Sequence, residues 1–158
     1  RKTMVTIEKL TTSHIDEVKN IELTEAQIQF AGTAQDFLQD KTESVLLYVI
    51  KADSHIVGFF KIDTAYPKAY EFCPSGSVGL RGFAIDKKQQ GKGLGTSAVR
   101  ALLSFSQNQL KGYSKIYLTV NCKNPAARAC YLKGGFEDTD KLYLGGPAGP
   151  QHIMRARI

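Results

Sequence analysis

Gln89-Gln90-Gly91-Lys92-Gly93-Leu94-Gly95-Thr96 stands between an apolar stretch and an amphipathic one, and its reading decides the rest. Upstream, Val78-Gly79-Leu80-Arg81-Gly82-Phe83-Ala84-Ile85 is short, apolar and bounded by turn formers, which predicts a largely buried strand. Downstream, Leu94, Ala98, Ala101, Leu102 and Phe105 recur at i, i+4, i+7, i+8 and i+11, the spacing of one helical face. The glycines therefore fall where a strand turns into a helix. Alternating Gly91, Gly93 and Gly95 remove the Cβ atoms that would hold a ligand off the backbone and allow positive φ. The N–H groups at the helix start point outward at the positive end of the helix dipole, where an anion is stabilised. Lys92 adds a mobile positive charge at the rim. The stretch reads as a cradle for a pyrophosphate, against the alternative of a glycine-rich turn that holds nothing.

Two common phosphate motifs do not fit. The dinucleotide fingerprint needs glycine where the chain has Thr96, and a P-loop needs four residues before its Gly-Lys-Ser/Thr ending. The pattern present is Gln-x-x-Gly-x-Gly, from Gln90 to Gly95. It resembles the acyl-CoA-binding motif of the acetyltransferase (GNAT) superfamily. A second stretch, Asn124-Pro125-Ala126-Ala127-Arg128-Ala129-Cys130-Tyr131-Leu132-Lys133-Gly134-Gly135-Phe136, resembles the same family's N-x-x-A-x-x-x-Y-x-x-x-G-F at Asn124, Ala127, Tyr131, Gly135 and Phe136. By itself this stretch is a short helix, with Asn124 as N-cap, Pro125 at the first helical position and Gly134-Gly135 as its stop. The resemblance covers residues from about Ile56 to Phe136 well and the ends loosely. Leu80 to Asp86 followed by Lys87 to Gly93 is similar to the bacterial diamine and polyamine acetyltransferase branch.

Composition sets the bounds. At 158 residues, with 42% hydrophobic and 23% charged residues, the chain reads as one ordinary globular domain over its whole length. No apolar run approaches the ~18 residues of a membrane span. Arg1 to Leu10 alternates apolar with polar residues and lacks the continuous apolar core of a signal peptide, so the expected compartment is the cytoplasm. Cys73, Cys122 and Cys130 form no C-x-x-C pair and His14, His55 and His152 are scattered, so no metal site or disulfide framework is expected. The net charge of +6 suits an anionic cofactor, and equally nucleic acid or a membrane face. No run of five basic residues occurs, which argues against general nucleic-acid binding.

In chain order, Met4 to Leu10 reads as a strand, then a short helix carries Ile15 and Val18, and Thr24 to Leu38 is a second helical stretch interrupted near Gly32. The resemblance puts these helices over the acceptor site, where Glu22 and Glu25 would attract a cationic amine. Ser44 to Lys51 and His55 to Ile62 form a hairpin closed at Ala52-Asp53-Ser54. Tyr66 to Gly76 reads as a long irregular loop, with Tyr70, Glu71 and Phe72 as candidate substrate contacts. Ser114 to Val120 alternates as a strand, and Leu142 to Leu144 and Gln151 to Ile158 are two more, joined by Gly145 to Pro150.

The resemblance implies a single α/β domain: a mixed, twisted sheet of six or seven strands, splayed between the fourth and fifth, with helices on both faces. It implies acetyl-CoA as cofactor, held by Gln90, Gly91, Lys92, Gly93, Leu94, Gly95 and Thr96 at the diphosphate. Backbone of Phe83, Ala84 and Ile85 would meet the pantetheine arm, with Asn124 and Ala127 beside it. Tyr131 would be the general acid for the departing thiolate. Many members carry a glutamate base at a position that falls here on Gly79, so the base is left open, with Glu71, His152 and Asp86 as candidates. Cys122 and Cys130 read as small buried residues. The implied reaction is direct attack of a primary amine of a small molecule, a polyamine or similar, on acetyl-CoA. Amino acids, aminoglycosides and protein N-termini are alternative acceptors, and a non-catalytic acyl-CoA-binding module is the alternative class. A homodimer is left open.

Overall fold

The computed structural model describes residues 3–158; Arg1 and Lys2 lie outside the described residues. Its centre is one seven-stranded sheet among the described residues, in the order β1-β2-β3-β4-β5-β7-β6. The strands are β1 (Val5–Lys9), β2 (Val45–Ala52), β3 (His55–Asp63), β4 (Ser77–Ile85), β5 (Lys115–Asn121), β6 (Glu137–Tyr143) and β7 (Gln151–Arg157). Neighbours pair antiparallel except β4 and β5, which are parallel. The helices are α1 (Ile15–Lys19), α2 (Glu25–Ala31), α3 (Ala34–Gln39), α4 (Tyr66–Ala69), α5 (Leu94–Gln109) and α6 (Pro125–Gly134).

Strand periodicity assigns the two faces of the sheet. Tyr48, Ile50, Phe60, Ile62, Val78 and Leu80 face α5 and build the larger core with Ala98, Val99 and Leu102. Val49, Phe59 and Ala84 face the other way and meet Val18 of α1 and Phe37 of α3, whose ring stacks on Phe59 at 4.4 Å. Helices thus cover both faces, as the resemblance implies. The residues of α5 that are fully buried include Val99, Leu103 and Ser106 beside Leu94, Ala98 and Leu102, whereas Ala101 and Phe105 are only partly buried. The buried stripe is wider than the spacing predicted because α5 also packs against α6.

Parallel pairing of β4 with β5 runs only from Ser77↔Lys115 through Gly79↔Tyr117, after which the two strands part. Seven antiparallel pairs hold β5 to β7, so the split is confined to this one seam. A bulge shapes β4 on its other side: Phe59 pairs with Ala84 but Lys61 with Arg81, an extra residue on β4 where Gly82 takes φ +61.

Gly32, at φ +83, breaks the second helical stretch into α2 and α3, each opened by a Thr capping box. Two sequence expectations need correction. The stretch from Tyr66 is not an open loop: Pro67 starts a helical turn, and Tyr66, buried to 2%, joins Cys73, Tyr117 and Ile153 in a third small core. Rings at 66, 70, 72, 117 and 143 pack together there, and this packing gives an irregular sequence a fixed shape. The strand expected at Leu142–Leu144 begins at Glu137 and leaves Leu144 outside, 72% exposed. As the sheet edge, β6 has a charged, mostly exposed sequence bent at Asp140, φ +63, so no apolar alternation marks it.

Candidate active site

The gap between β4 and β5 opens into a cavity of about 790 Å³ bounded by α2, the loop before α5, and α6. Gln90, Gly91, Gly93, Leu94, Gly95, Thr96, Phe83, Ala84, Ile85, Asn124, Ala127 and Tyr131 all line it. Residues more than 40 positions apart in sequence are thereby gathered around one cavity. Lys92 does not line it; its ammonium donates to Gln89 Oε1 at 3.0 Å.

At the loop, Gly93 is the N-cap of α5 in the left-handed region, φ +75 and ψ 9, and has no side chain to accept the first-turn N–H groups. Gly91 is also left-handed, φ +81, and a Cβ on either would meet nothing within 4 Å. The start of a 16-residue helix is therefore bare toward the cavity, which fits a diphosphate. Gly95 serves another purpose: a Cβ there would come within 3.0 Å of Cys130 Sγ, so its absence lets α5 and α6 approach. Thr96 Oγ1 donates to the same sulfur at 4.0 Å. Burial pushes the Cys130 thiol up, against the pull of Thr96 and Lys133, which suits packing and not nucleophilic attack. Cys122, expected to be buried, is exposed beyond the end of β5.

The splay does not leave every backbone group free. The carbonyl of Ile85 accepts from Gln27 Nε2 at 2.8 Å and from Gln90 Nε2 at 3.1 Å, so this one of the three expected pantetheine contacts is already engaged. Gln27 carries no role in the sequence reading; its signal was the Thr24-x-x-Gln27 capping box, in which its Oε1 accepts from Thr24 N at 2.8 Å. One amide thus fixes both the start of α2 and the edge of the split.

Asn124 Oδ1 accepts from Ala127 N at 3.3 Å and starts α6, as its N-cap spacing predicts. One and a half to two turns on, the Tyr131 ring lies between Phe83, 5.8 Å away, and Phe136, 5.7 Å away. Burial, reinforced by Cys130 and Tyr66, raises the Tyr131 phenol well above the ordinary tyrosine range. It stays neutral and keeps its proton at any physiological pH.

The position expected for a glutamate base is closed. A Cβ on Gly79 would overlap Cγ and Cδ1 of the Tyr66 ring and lie 2.6 Å from Cδ2, so the aromatic ring occupies the space a longer side chain would need. Of the other base candidates, Asp86 is buried and caps the turn after β4, accepting from Lys88 N at 3.0 Å. His152 lies 3.8 Å from Asp138, itself held by Arg128 at 2.8 Å. Glu71 is exposed. Glu22 sits 3.7 Å from Lys87, and Glu25 is exposed in the first turn of α2. None of these lines the cavity. Tyr70 does, whereas Phe72 packs against Tyr117 and Tyr143. Tyr66, Lys61 and Arg81 also line it and were passed over. The signal for the last two was a cation set within the apolar run of each strand, Lys61 after Gly58-Phe59-Phe60 and Arg81 after Val78-Gly79-Leu80.

The acetyltransferase (GNAT) family matches residues 9–136, which is most of the chain. The protein belongs to that family. As a GNAT protein it is an acyltransferase dependent on acetyl-CoA, and the bare α5 start and the β4–β5 gap fit that molecule. The spermine/spermidine N(1)-acetyltransferase of Bacillus subtilis (strain 168) is 26% identical over 147 residues, covering 90% of this chain and 93% of that protein. An aminoglycoside acetyltransferase solved with coenzyme A superposes with TM-score 0.77 at 24% identity, over 98% of this chain and 95% of that one. A spermidine N-acetyltransferase from Vibrio cholerae, solved with CoA and spermine, gives TM-score 0.69 at 18% identity over 97% and 95%. These two solved neighbours share the fold of this chain. No helix among the described residues is long and apolar enough to cross a membrane.

Proposed function

We propose that this GNAT protein transfers the acetyl group of acetyl-CoA directly to the primary amine of a small molecule, with Tyr131 as general acid. The observation that carries this reading is the neutral phenol of Tyr131 lining the same cavity as the bare helix start at Gly93. Bound acetyl-CoA supplies a thioester: the amine nitrogen forms a C–N bond to its carbonyl carbon, the C–S bond breaks, and the sulfur leaves with the electron pair. Main-chain N–H groups from Gly91 to Thr96 bind the diphosphate, with Lys92 at the rim. Backbone of Phe83 and Ala84 orients the arm along β4, beside Asn124 and Ala127. The Tyr131 phenol gives its proton to the departing sulfur; a thiol of pKa ~8.5 is a fair leaving group, so a weak acid close by suffices.

The cavity wall carries no carboxylate and no histidine among the described residues. The amine therefore enters as its free base, loses one of its two N–H protons to solvent after attack and keeps the other as the amide N–H, while solvent returns a proton to the Tyr131 phenolate. A primary amine of pKa ~10.4 makes kcat/KM rise with pH toward that value. Relatives named for spermine and spermidine put polyamines on the panel of acceptors to be tried. Three free thiols suit a reducing compartment, in support of the cytoplasm.

The test is an amine panel with acetyl-CoA, following free thiol. Turnover with at least one small amine is expected, and Tyr131→Phe should lower kcat by about 10²-fold or more with CoA affinity nearly intact. CoA binding without thiol release for any amine defeats the reading, and full activity in Tyr131→Phe removes that residue from the chemistry.

A further inference from the structure

Lys61 and Arg81 are direct cross-strand partners in β3 and β4, so their side chains leave the same face of the sheet, the face covered by α1 to α3. Two like charges opposite each other destabilise a sheet unless each is compensated. Each has its own carboxylate. Lys61 Nζ donates to Asp40 Oδ2 at 2.8 Å, and Arg81 Nη1 donates to Asp63 Oδ2 at 3.1 Å. Backbone N–H groups hold both carboxylates from behind, Thr42 on Asp40 at 3.0 Å and Ala65 on Asp63 at 2.9 Å.

The pairs are lopsided. Asp63 and Asp40 do not line the cavity, while Lys61 and Arg81 do; in the first pair Lys61 and Asp40 are equally buried, 13% and 14% exposed, whereas Asp63 is only 12% exposed. The Arg81 side chain is 46% exposed, and among the described residues its hydrogen bonds are satisfied only at Nη1. A guanidinium anchored at one nitrogen, with its remaining donors toward the cavity, is a preorganised fork for a carboxylate or phosphate. The Gly82 bulge sits beside it in β4.

We propose that the acceptor amine carries an anionic group, a carboxylate or a phosphate, and that Arg81, with Lys61 beside it, recognises that group. This rests on the acetyl-transfer reading above and names its substrate class. Phe83, whose ring packs on Tyr131, follows Arg81 in β4 across the Gly82 bulge, and all three residues line the one cavity, so the anion and the reacting nitrogen share a single space. A diamine gains no such partner, because its second ammonium would meet Lys61 and Arg81, and the carboxylates of Asp40 and Asp63 are already engaged by them and do not line the cavity.

Chain-matched amines decide it: aminopentanoate, aminopentyl phosphate, pentylamine and diaminopentane. Each is titrated calorimetrically into the full-length protein saturated with CoA, and each is assayed for thiol release with acetyl-CoA. One of the two anionic amines should bind, and turn over by kcat/KM, at least about tenfold better than diaminopentane; which one does separates carboxylate from phosphate. Arg81→Gln should reduce that preference by about tenfold or more while the KM for acetyl-CoA moves less than about twofold. Arg81→Lys should not restore it, since an ammonium has no fork. Tighter binding of diaminopentane or pentylamine overturns the proposal in the wild-type protein alone, whether or not the variants fold. So does an Arg81→Gln effect confined to acetyl-CoA. Anion-selective binding without thiol release for any amine keeps this proposal and defeats the transfer reading instead.

Discussion

Gly79 is the position where the resemblance leads one to expect a glutamate, and replacing it with alanine tests why none is there. A single added methyl group would be placed inside the Tyr66 ring, 2.6 Å from Cδ2 and closer to two other carbons. Ordinary contact needs 3.4–4 Å, so the ring has to retreat by about 1 Å or more. It has little room: Tyr66 is 2% exposed, with the Tyr70 ring 4.5 Å and the Phe72 ring 6.0 Å from its own. Overpacking of this kind costs ~1–3 kcal/mol, and the upper end applies to an aromatic cluster that moves as a block. Alanine recovers ~0.5–1 kcal/mol over glycine in a strand, leaving a net loss of about 2 kcal/mol. Urea denaturation at constant slope should show it as a midpoint lower by ~1 M. In a Tyr66→Leu background the same substitution should cost at least ~1 kcal/mol less, since the obstacle is gone. Gly79→Ala at wild-type stability would refute the steric account. Gly79→Glu should then lose stability without gaining kcat, which would show that no base can be restored at this site.

Gly93→Ala forces a side chain into φ +75 at the helix start, a cost of ~1–2 kcal/mol; a comparable loss of CoA affinity by calorimetry is expected, and unchanged affinity would show that CoA binds elsewhere. Ser54 sits at φ +75 in the tight β2–β3 turn, and Ser54→Gly should raise thermal stability by about 1 kcal/mol without affecting turnover; a lower Tm counts against the turn assignment. Burial, with Asp63 nearby, pushes the Cys73 thiol up to about 11 from 9.0. Because the folded value is the raised one, its stabilising contribution is complete below pH 9 and lost as pH rises through 11, and Cys73→Ala should make the fall in stability between those values shallower in melts, the part due to the raised tyrosines remaining. Exposed Cys122 should react with a thiol reagent well before buried Cys73, which mass spectrometry of the labelled protein reads directly.

Local physics was enough for much of this. The step from Ile85 through Gly91 and Gly93 to Leu94 needs only glycine's access to positive φ and the spacing of an amphipathic helix, and both are written in neighbouring residues. The same holds for Asn124 and Pro125 at the start of α6, for Gly32 between α2 and α3, and for the alternation that sorts β2 and β3 onto two faces. Tertiary structure alone decided what stands in the cavity. Tyr66, in a stretch with no periodicity, closes the glutamate position because an aromatic core forms between α4, β5 and β7. Gln27 reaches a carbonyl 58 positions away. Charged β6 becomes a strand because β7 offers it an edge. Lys61 and Arg81, 20 residues apart, come side by side only through the register of β3 on β4, where Asp40 and Asp63 pair with them. Local preference is fixed by bonds along the chain; which charges meet across a sheet depends on the register of the assembled strands.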